Sequence, residues 1–488
     1  MNSEKAKAKK NLNIKFCFNR TNYNYQNLLP TSTMFRKYLI YAVTLLIPGV
    51  LSAQNSAPEF TFPDPLTLKE TIQIGLENNR NYKKALLDED KAKYQRNEIR
   101  GAGLPQISAY GDYNNFIDVF PQAVPGGIFG GSPEDIQVIA LGVPQSLKAG
   151  VQLNQLIYSN SYLIGLKAAK TGEEFYNLLA QQSEEDVIHE IAMNFLGAIQ
   201  LELQKENLLA TISQFEGLEK ILQAQYDNDL ARKVDLNRVK VNLTSVRAEL
   251  ENLEIALFQR EGYLKLVMGI PVDTEITLDH KVTDMNHMVR EFQIADLNVE
   301  DRKDIQILGV QEQLYEYEYK NIKSEHMPQL VGFADFNKSA FAQDFDFVST
   351  SHSWYQGFLI GLKLEIPIFN GGQTKYKAAQ SKVSAQQLQL DKSQATDAAE
   401  LEYQNALNTY YNSLSTLKSL EDNLALANDV LSETQLLYKE SLSPLTDLLA
   451  AEASGRQAQG NYNNQIIQVR LAQLDILNST GKIKNLIQ

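Results

Sequence analysis

Cysteine is nearly missing from this chain. Its 488 residues include one, Cys17, and that one lies ahead of a segment with the pattern of a secretory signal. Met34 is followed by the short basic pair Arg36-Lys37. An apolar stretch, Leu39 to Leu51, is broken by Pro48-Gly49, and Ser52-Ala53-Gln54 offers a small-residue cleavage site. Such a segment is too short for a good membrane span, which sets cleavage above an uncleaved anchor. The mature chain is then expected to have no cysteine, which excludes disulfides, thiol catalysis, cysteine metal sites and a lipid anchor on a cysteine after the cut. Histidine is scarce too: His189, His280, His287, His326 and His352. His280 and His287 lie near Asp279 and Asp284, but seven-residue spacing in a connector is not a metal-ligand motif. The glycines at Gly126-Gly127 and Gly130-Gly131 lack the Lys-Ser/Thr of a phosphate loop. No metal, cofactor or catalytic residue is therefore expected, and the chain is read as no enzyme.

Basic charge is also short. The formal charge is −13, and the first 53 residues hold eight Lys/Arg against one acid; without them 38 basic face 58 acidic residues, a net −20. A body that acidic argues against nucleic acid as a partner.

Proline is absent where it would do most harm. The 14 prolines avoid 145–270 and 368–443, and proline inside a helix removes a hydrogen bond and clashes with the preceding turn. Heptad ladders fill these gaps. Tyr410, Leu417, Leu424, Leu431 and Tyr438, with Leu407 and Leu414 beside them, run along a helix expected over Gly372 to Glu440. Leu201, Leu208, Phe215 and Leu222 mark a helix from about Ser161 to Tyr226. Leu236, Leu243, Leu250, Leu257 and Leu264, with Val239, Val246 and Leu253, mark the next. A seam at this spacing packs helix against helix, and ~60 residues at ~1.5 Å each make a rod of ~90 Å. Breaks at Asp227–Lys233 and Ser441–Ser443 turn the rods into hairpins, with Pro444 expected at the first helical position and Ser443 as its cap. A single helix is expected from Leu66 to about Ala102, capped by Thr67 with Glu70. Another is expected from Val299 to Met327. Strands are expected at Leu104–Phe120, Leu147–Tyr158, Pro328–Phe341 and Trp354–Phe369, with Pro121–Ser146 a Gly/Pro-rich loop.

The plan repeats. Asn78-Asn79-Arg80-Asn81 precedes Asp301-Arg302-Lys303-Asp304 by 223 residues, as Leu104-Pro105 precedes Met327-Pro328. Beyond the strands the offset is 212 and relates Tyr226, Leu230, Asp235, Leu236 and Gly269 to Tyr438, Leu442, Asp447, Leu448 and Gly481. This is a two-fold internal duplication. The expected divisions are a 1–33 extension, a 34–53 signal peptide, a 54–65 linker, a first repeat over 66–270, a 271–297 connector, a second repeat over 298–483 and a 484–488 tail.

In the last strand Trp354, Phe358, Ile360, Leu362 and Leu364 share one face, and Gly357, Gly361, Lys363 and Glu365 the other. Apolar outside and polar inside is the pattern of a membrane β-barrel. Four strands cannot close alone, and their edges need partners. The competing reading is a periplasmic coiled-coil scaffold without a pore.

The sequence resembles the TolC family of outer-membrane efflux proteins over about Leu66 to Ile483. The residues that carry this are Leu66-Thr67-Leu68-Lys69-Glu70 with Glu77-Asn78-Asn79, Leu104-Pro105, Asp301-Arg302-Lys303-Asp304, the run Ile366-Pro367-Ile368-Phe369-Asn370-Gly371-Gly372, and the paired hairpin turns. The fold class so implied is mostly α with membrane β. A homotrimer would give four strands per subunit to a twelve-stranded barrel, continued by an α-helical coiled-coil tunnel through the periplasm. The resemblance implies a passive export channel of a tripartite efflux or type I secretion system. Its partners would be a periplasmic adaptor protein and an inner-membrane efflux pump or ABC exporter.

By the same resemblance Asp447 falls on a pore-constriction aspartate, Tyr438 on a gate tyrosine with Asp235 its partner, and Leu230 and Leu442 on adaptor-contact leucines. Three carboxylates around a pore attract cations and repel anions; an acid in a helix's first turn is also favoured by the dipole alone. The chain departs from the family at Arg80, where proline is frequent, at Ser443, where the gate arginine would fall, at Ala450, where a second constriction acid would fall, and at Asp229 and Ser441, where glycine precedes the turn leucines.

Overall fold

The computed structural model describes residues 63–487 apart from 120, 126, 128–131, 133, 135, 141, 284–291 and 348–352. The expected signal peptide, Cys17, Asp284, His287, His352 and most of the glycine loop lie outside the described residues.

The first element, α1 (Leu68–Asn78), starts on a full capping box: the Thr67 amide donates to Glu70 Oε2 at 2.9 Å and the Glu70 amide to Thr67 Oγ1 at 3.3 Å. The single helix expected here is broken at Asn79, and α2 (Arg80–Ala102) follows. The cause is a local cap joined to a tertiary bond. Asn79 is buried, its Oδ1 accepts from the amides of Asn81 and Tyr82, and its Nδ2 donates to the Val267 carbonyl at 2.6 Å. Next come β1 (Gln106–Asn115), β2 (Pro121–Pro125), β3 (Ile136–Ala140) and β4 (Gln145–Ser159). The expected loop thus contains a two-stranded hairpin, β2–β3. An isolated ribbon leaves half of its amides unpaired, so prolines at the ends of β2 remove little.

Two long helices dominate. α3 (Asn160–Asp227) has 68 residues and α6 (Gln373–Lys439) has 67, each ~100 Å long. Each is flanked by two shorter helices. α3 packs on α2 along one part and on α4 (Lys233–Met268) along another; α6 packs likewise on α5 (Lys303–Ser324) and α7 (Leu445–Ser479). Pro444 is the N-cap of α7 rather than its first helical residue, and the Ser443 hydroxyl makes no cap bond; it reaches Asp447 instead. Between α5 and α6 lie β5 (Gln329–Ala342) and β6 (Tyr355–Glu365). No helix among the described residues is long and apolar enough to cross a membrane.

The ladder residues are where the helices meet. Leu236, Val239, Leu243, Val246 and Leu264 on α4, Leu208 and Leu222 on α3, and Tyr410 and Leu417 on α6 are all buried. The largest core lies midway along α3, from Val187 to Ile199. It gathers Ile72 of α1, Leu264, Val267 and Met268 of α4, and Ile467, Leu474 and Leu477 of α7. Gly269 closes α4 at φ +77, where an added Cβ would lie 2.4 Å from the Asn78 carbonyl oxygen. Gly481 stands past α7 at φ +67, against Asp301 and Arg302. Arg302 donates to the Ser479 carbonyl at 3.1 Å as Asn79 does to Val267.

The sheet is antiparallel, in the order β1-β4-β5-β6. Val151 lies opposite Ala109 and Phe336, and Phe336 opposite Phe358, so one face is apolar across all four strands. The other face carries Ser108, Gln152 and Asp335 in one row. Tyr110 Oη donates to Asp335 Oδ2 at 2.8 Å across this polar face, passing over Gly150, where a Cβ would meet both the tyrosine hydroxyl and the Phe336 carbonyl. A bulge between Leu156 and Tyr158 shifts the register of β4 on β5 just before α3 begins. The apolar residues Phe358, Ile360, Leu362 and Leu364 are exposed, and the outer edges of β1 and β6 are unpaired.

Candidate gate at the hairpin turns

Two turns end the helical hairpins, and their backbones match. At the first, Asp229 adopts φ 60, the Asp229 amide donates to the Tyr226 carbonyl at 3.0 Å and the Leu230 amide to the Gln225 carbonyl at 2.8 Å. At the second, Ser441 adopts φ 62, its amide donates to Tyr438 at 2.9 Å and that of Leu442 to Leu437 at 2.8 Å. This crossed pair of bonds is the Schellman closure of a helix end, which requires a left-handed residue. The geometry throws the next side chain outward. Leu230 is 80% and Leu442 75% exposed, so neither leucine folds into its own hairpin.

Behind the turns the four helices share one small core. Leu222, Leu236, Val239, Leu445 and Leu448 are buried together, with Leu431 and Tyr438 packed on them. Burial, and then the nearby charge of Asp235, push the Tyr438 phenol above its ordinary pKa. Asp235 sits in the first turn of α4 and is itself buried. Its hydrogen bonds come from Arg232, whose Nε reaches Oδ2 at 2.8 Å and whose second guanidinium nitrogen reaches Oδ1 at 3.3 Å; Arg238 stands 3.9 Å away. Tyr438 and Asp235 therefore meet in one packed tip, but the acid's hydrogen-bond partner is Arg232. That residue was missed in the sequence, although an arginine three positions ahead of a first-turn acid is within ion-pair reach. The pair is an exposed one on the arginine side, worth up to ~1 kcal/mol.

Asp447 occupies the equivalent position of α7 and is exposed. Among the described residues its carboxylate is approached only by hydroxyls, Ser443 Oγ at 3.4 Å and Thr446 Oγ1 at 3.3 Å. Ala450, one turn on, is also exposed. Away from the tip, His280 binds Glu202 at 2.6 Å, with Glu206 at 3.7 Å. No group of acids and histidines among the described residues is arranged to hold a metal.

Residues 296–482, which span most of the second half, match the family model of outer membrane efflux proteins. The chain carries an outer membrane efflux protein domain. The efflux-protein family is one of the outer membrane, which is where this chain resides, with its helices on the periplasmic side. The chain is also similar to a curated relative, the probable outer membrane lipoprotein SilC of Salmonella typhimurium. It is 23% identical over 451 residues, 87% of this chain and 89% of the relative. Among solved structures the fold is shared with the outer membrane protein VceC of Vibrio cholerae, at TM-score 0.65 and 15% identity, over 84% of this chain and 96% of VceC. It is shared also with the open-state MtrE outer membrane channel of Neisseria gonorrhoeae, at TM-score 0.66 and 17% identity, over 86% of this chain and 90% of MtrE. MtrE is an outer membrane channel, and the efflux-protein match over 296–482 supports an export-channel role for this chain.

Proposed function

We propose that the chain is the passive outer-membrane duct of a tripartite efflux or type I secretion system. The observation that carries this is the sheet. It has one apolar face left exposed, one polar face, two unpaired edges, and rods of ~100 Å rooted in it. Three chains would pair β6 of one with β1 of the next into a twelve-stranded barrel, removing every edge. The 11 residues of β6 span ~36 Å of strand, enough for a tilted crossing of a ~30 Å hydrocarbon core. The helices then continue the wall as a tunnel, each subunit built of two repeats, 66–270 and 298–483. The paired closures at Asp229 and Ser441, and the paired glycines 269 and 481, support that duplication.

The turns are the periplasmic end. Leu230 and Leu442 serve as contacts for a periplasmic adaptor, which couples the duct to an inner-membrane pump or ABC exporter. Asp447 lines the constriction in three copies, and Tyr438 with Asp235 holds the resting tip shut. Conductance of the purified protein in a planar bilayer tests the duct. Recovery of folded protein from the soluble periplasm without detergent would refute it. If Tyr438→Phe with Asp235→Ala leaves the resting conductance unchanged, the gate pair is wrong.

A further inference from the structure

The apolar face of the sheet bears one charged side chain. Through the four-strand register that face runs from Ile107 and Ala109 on β1 to Ile360 and Leu362 on β6. Lys338 on β5, opposite Ala149 on one side and Gln356 on the other, is its single cation. Lys338 is exposed and has no ion pair or hydrogen bond among the described residues. Beside it is a hollow of about 560 Å³, with Ala109 and Ala149 in its floor and Val151, Phe336, Lys338 and Trp354 around it. The small side chains at Ala109 and Ala149 leave an open recess among larger neighbours.

The position matters. Lys338 is nine residues beyond Gln329, where β5 leaves the helical side. At ~3.3 Å per residue that is ~30 Å of strand, or ~21–25 Å of height at a barrel tilt of ~35–45°. An apolar band is ~25 Å tall, so the ammonium lies at its outer edge, the level of the outer-leaflet head groups. Trp354 stands beside it, the side chain that favours this boundary. A lysine there can reach water by extending its stem, at a cost of ~0–1 kcal/mol. Extension alone does not account for the adjoining hollow, and among the described residues no carboxylate pairs with Lys338.

We propose that Lys338, Trp354 and this hollow form a binding site for one phosphate-bearing lipid of the outer leaflet. The ammonium takes the phosphate, and the hollow takes the first part of an acyl chain. The site rests on the reading of the sheet as barrel wall. It assigns the chain a specific lipid partner on a surface otherwise built only to be apolar.

The test is native mass spectrometry of the full-length protein, purified in detergent and titrated with diphosphoryl lipid A or its dephosphorylated form. Bilayer conductance is recorded in parallel. The diphosphoryl lipid is expected to bind the wild-type protein in preference to the dephosphorylated one. Lys338→Gln should weaken it about five-fold, the worth of one basic residue at a lipid surface. Lys338→Arg should retain it, and excess inorganic phosphate should not displace it. Both variants should conduct like the wild type. Equal binding of the two lipids, unchanged binding in Lys338→Gln, or displacement by free phosphate would each overturn the site while leaving the channel intact. A wild-type protein that does not conduct would remove the barrel reading, and the site with it.

Discussion

At the first hairpin turn an aspartate is buried and held by two hydrogen bonds from Arg232; at the second, 212 residues on, the matching aspartate is exposed and touched only by hydroxyls. The backbones around them close by the same bonds, and both turns put a leucine into solvent. The same contrast holds at mid-body, where a neutral Asn79 and a charged Arg302 each reach the carbonyl at the end of a hairpin helix. Closure of a turn depends on backbone geometry, which tolerates few changes. The charges around it are free to differ, and so the two halves share a scaffold but not an electrostatic role.

Four experiments press on that contrast. The largest effect is expected at the glycines. Gly269→Ala combines a left-handed φ with a Cβ 2.4 Å from the Asn78 oxygen, whereas at Gly481 the nearest atom is 3.3 Å away. Thermal unfolding should register a loss of roughly 3–5 kcal/mol for the first and about 1–2 for the second. Equal losses would mean that the two junctions are packed alike.

Glu185 comes next. Burial pushes its carboxyl up to about 7, against partial relief from Lys484 and Lys303; Asp397, 212 residues on, is exposed. The folded state holds that proton more tightly than the unfolded chain, so this group's contribution to stability is present below pH ~4.5 and falls as pH rises to about 7. Glu185→Gln should therefore stabilise the fold at pH 8 by about 1–2 kcal/mol after allowance for partial exposure, read as a higher melting temperature, and leave it unchanged at pH 4. Asp397→Asn should change neither.

Third, Asp447→Asn should reduce cation over anion selectivity several-fold, a change of ~1 kcal/mol per ion. Asp235→Asn should leave selectivity alone, because its charge is already neutralised by Arg232. Reversal potentials in a salt gradient read both, and equal shifts would erase the distinction between the two acids. The smallest effect is at the turns themselves. Ser441→Gly should stabilise by about 0.5–1 kcal/mol and Asp229→Gly by less, since aspartate tolerates the left-handed region better than most residues.

Much of this was legible in the sequence. The heptad ladders and the proline-free gaps located α3, α4 and α6 to within a few residues, because periodicity and proline act locally, and Pro444 marked the start of α7. The alternation in β4 and β6 matches the faces that the register displays. What escaped was decided at a distance. The helix breaks at Asn79 because its side chain both caps α2 and reaches Val267, 188 residues away, and the second bond has no local signal. The β2–β3 hairpin hid in a segment whose prolines argue for loop, and only pairing across it makes strand. At the tip the sequence offered Asp235 a tyrosine, and folding gave it the nearer arginine.

The mid-body core has a mechanical consequence. Both hairpins are clamped there, where α4 ends on Asn79 and α7 on Arg302, and beyond it they pack on each other down to the turns. They form a cantilever of ~54 Å, the length of the 36-residue α4. A tilt of ~5° at the clamp carries the turn ~5 Å at that length. A force applied at Leu230 and Leu442 acts at the far end of this arm, where the least effort produces the most travel.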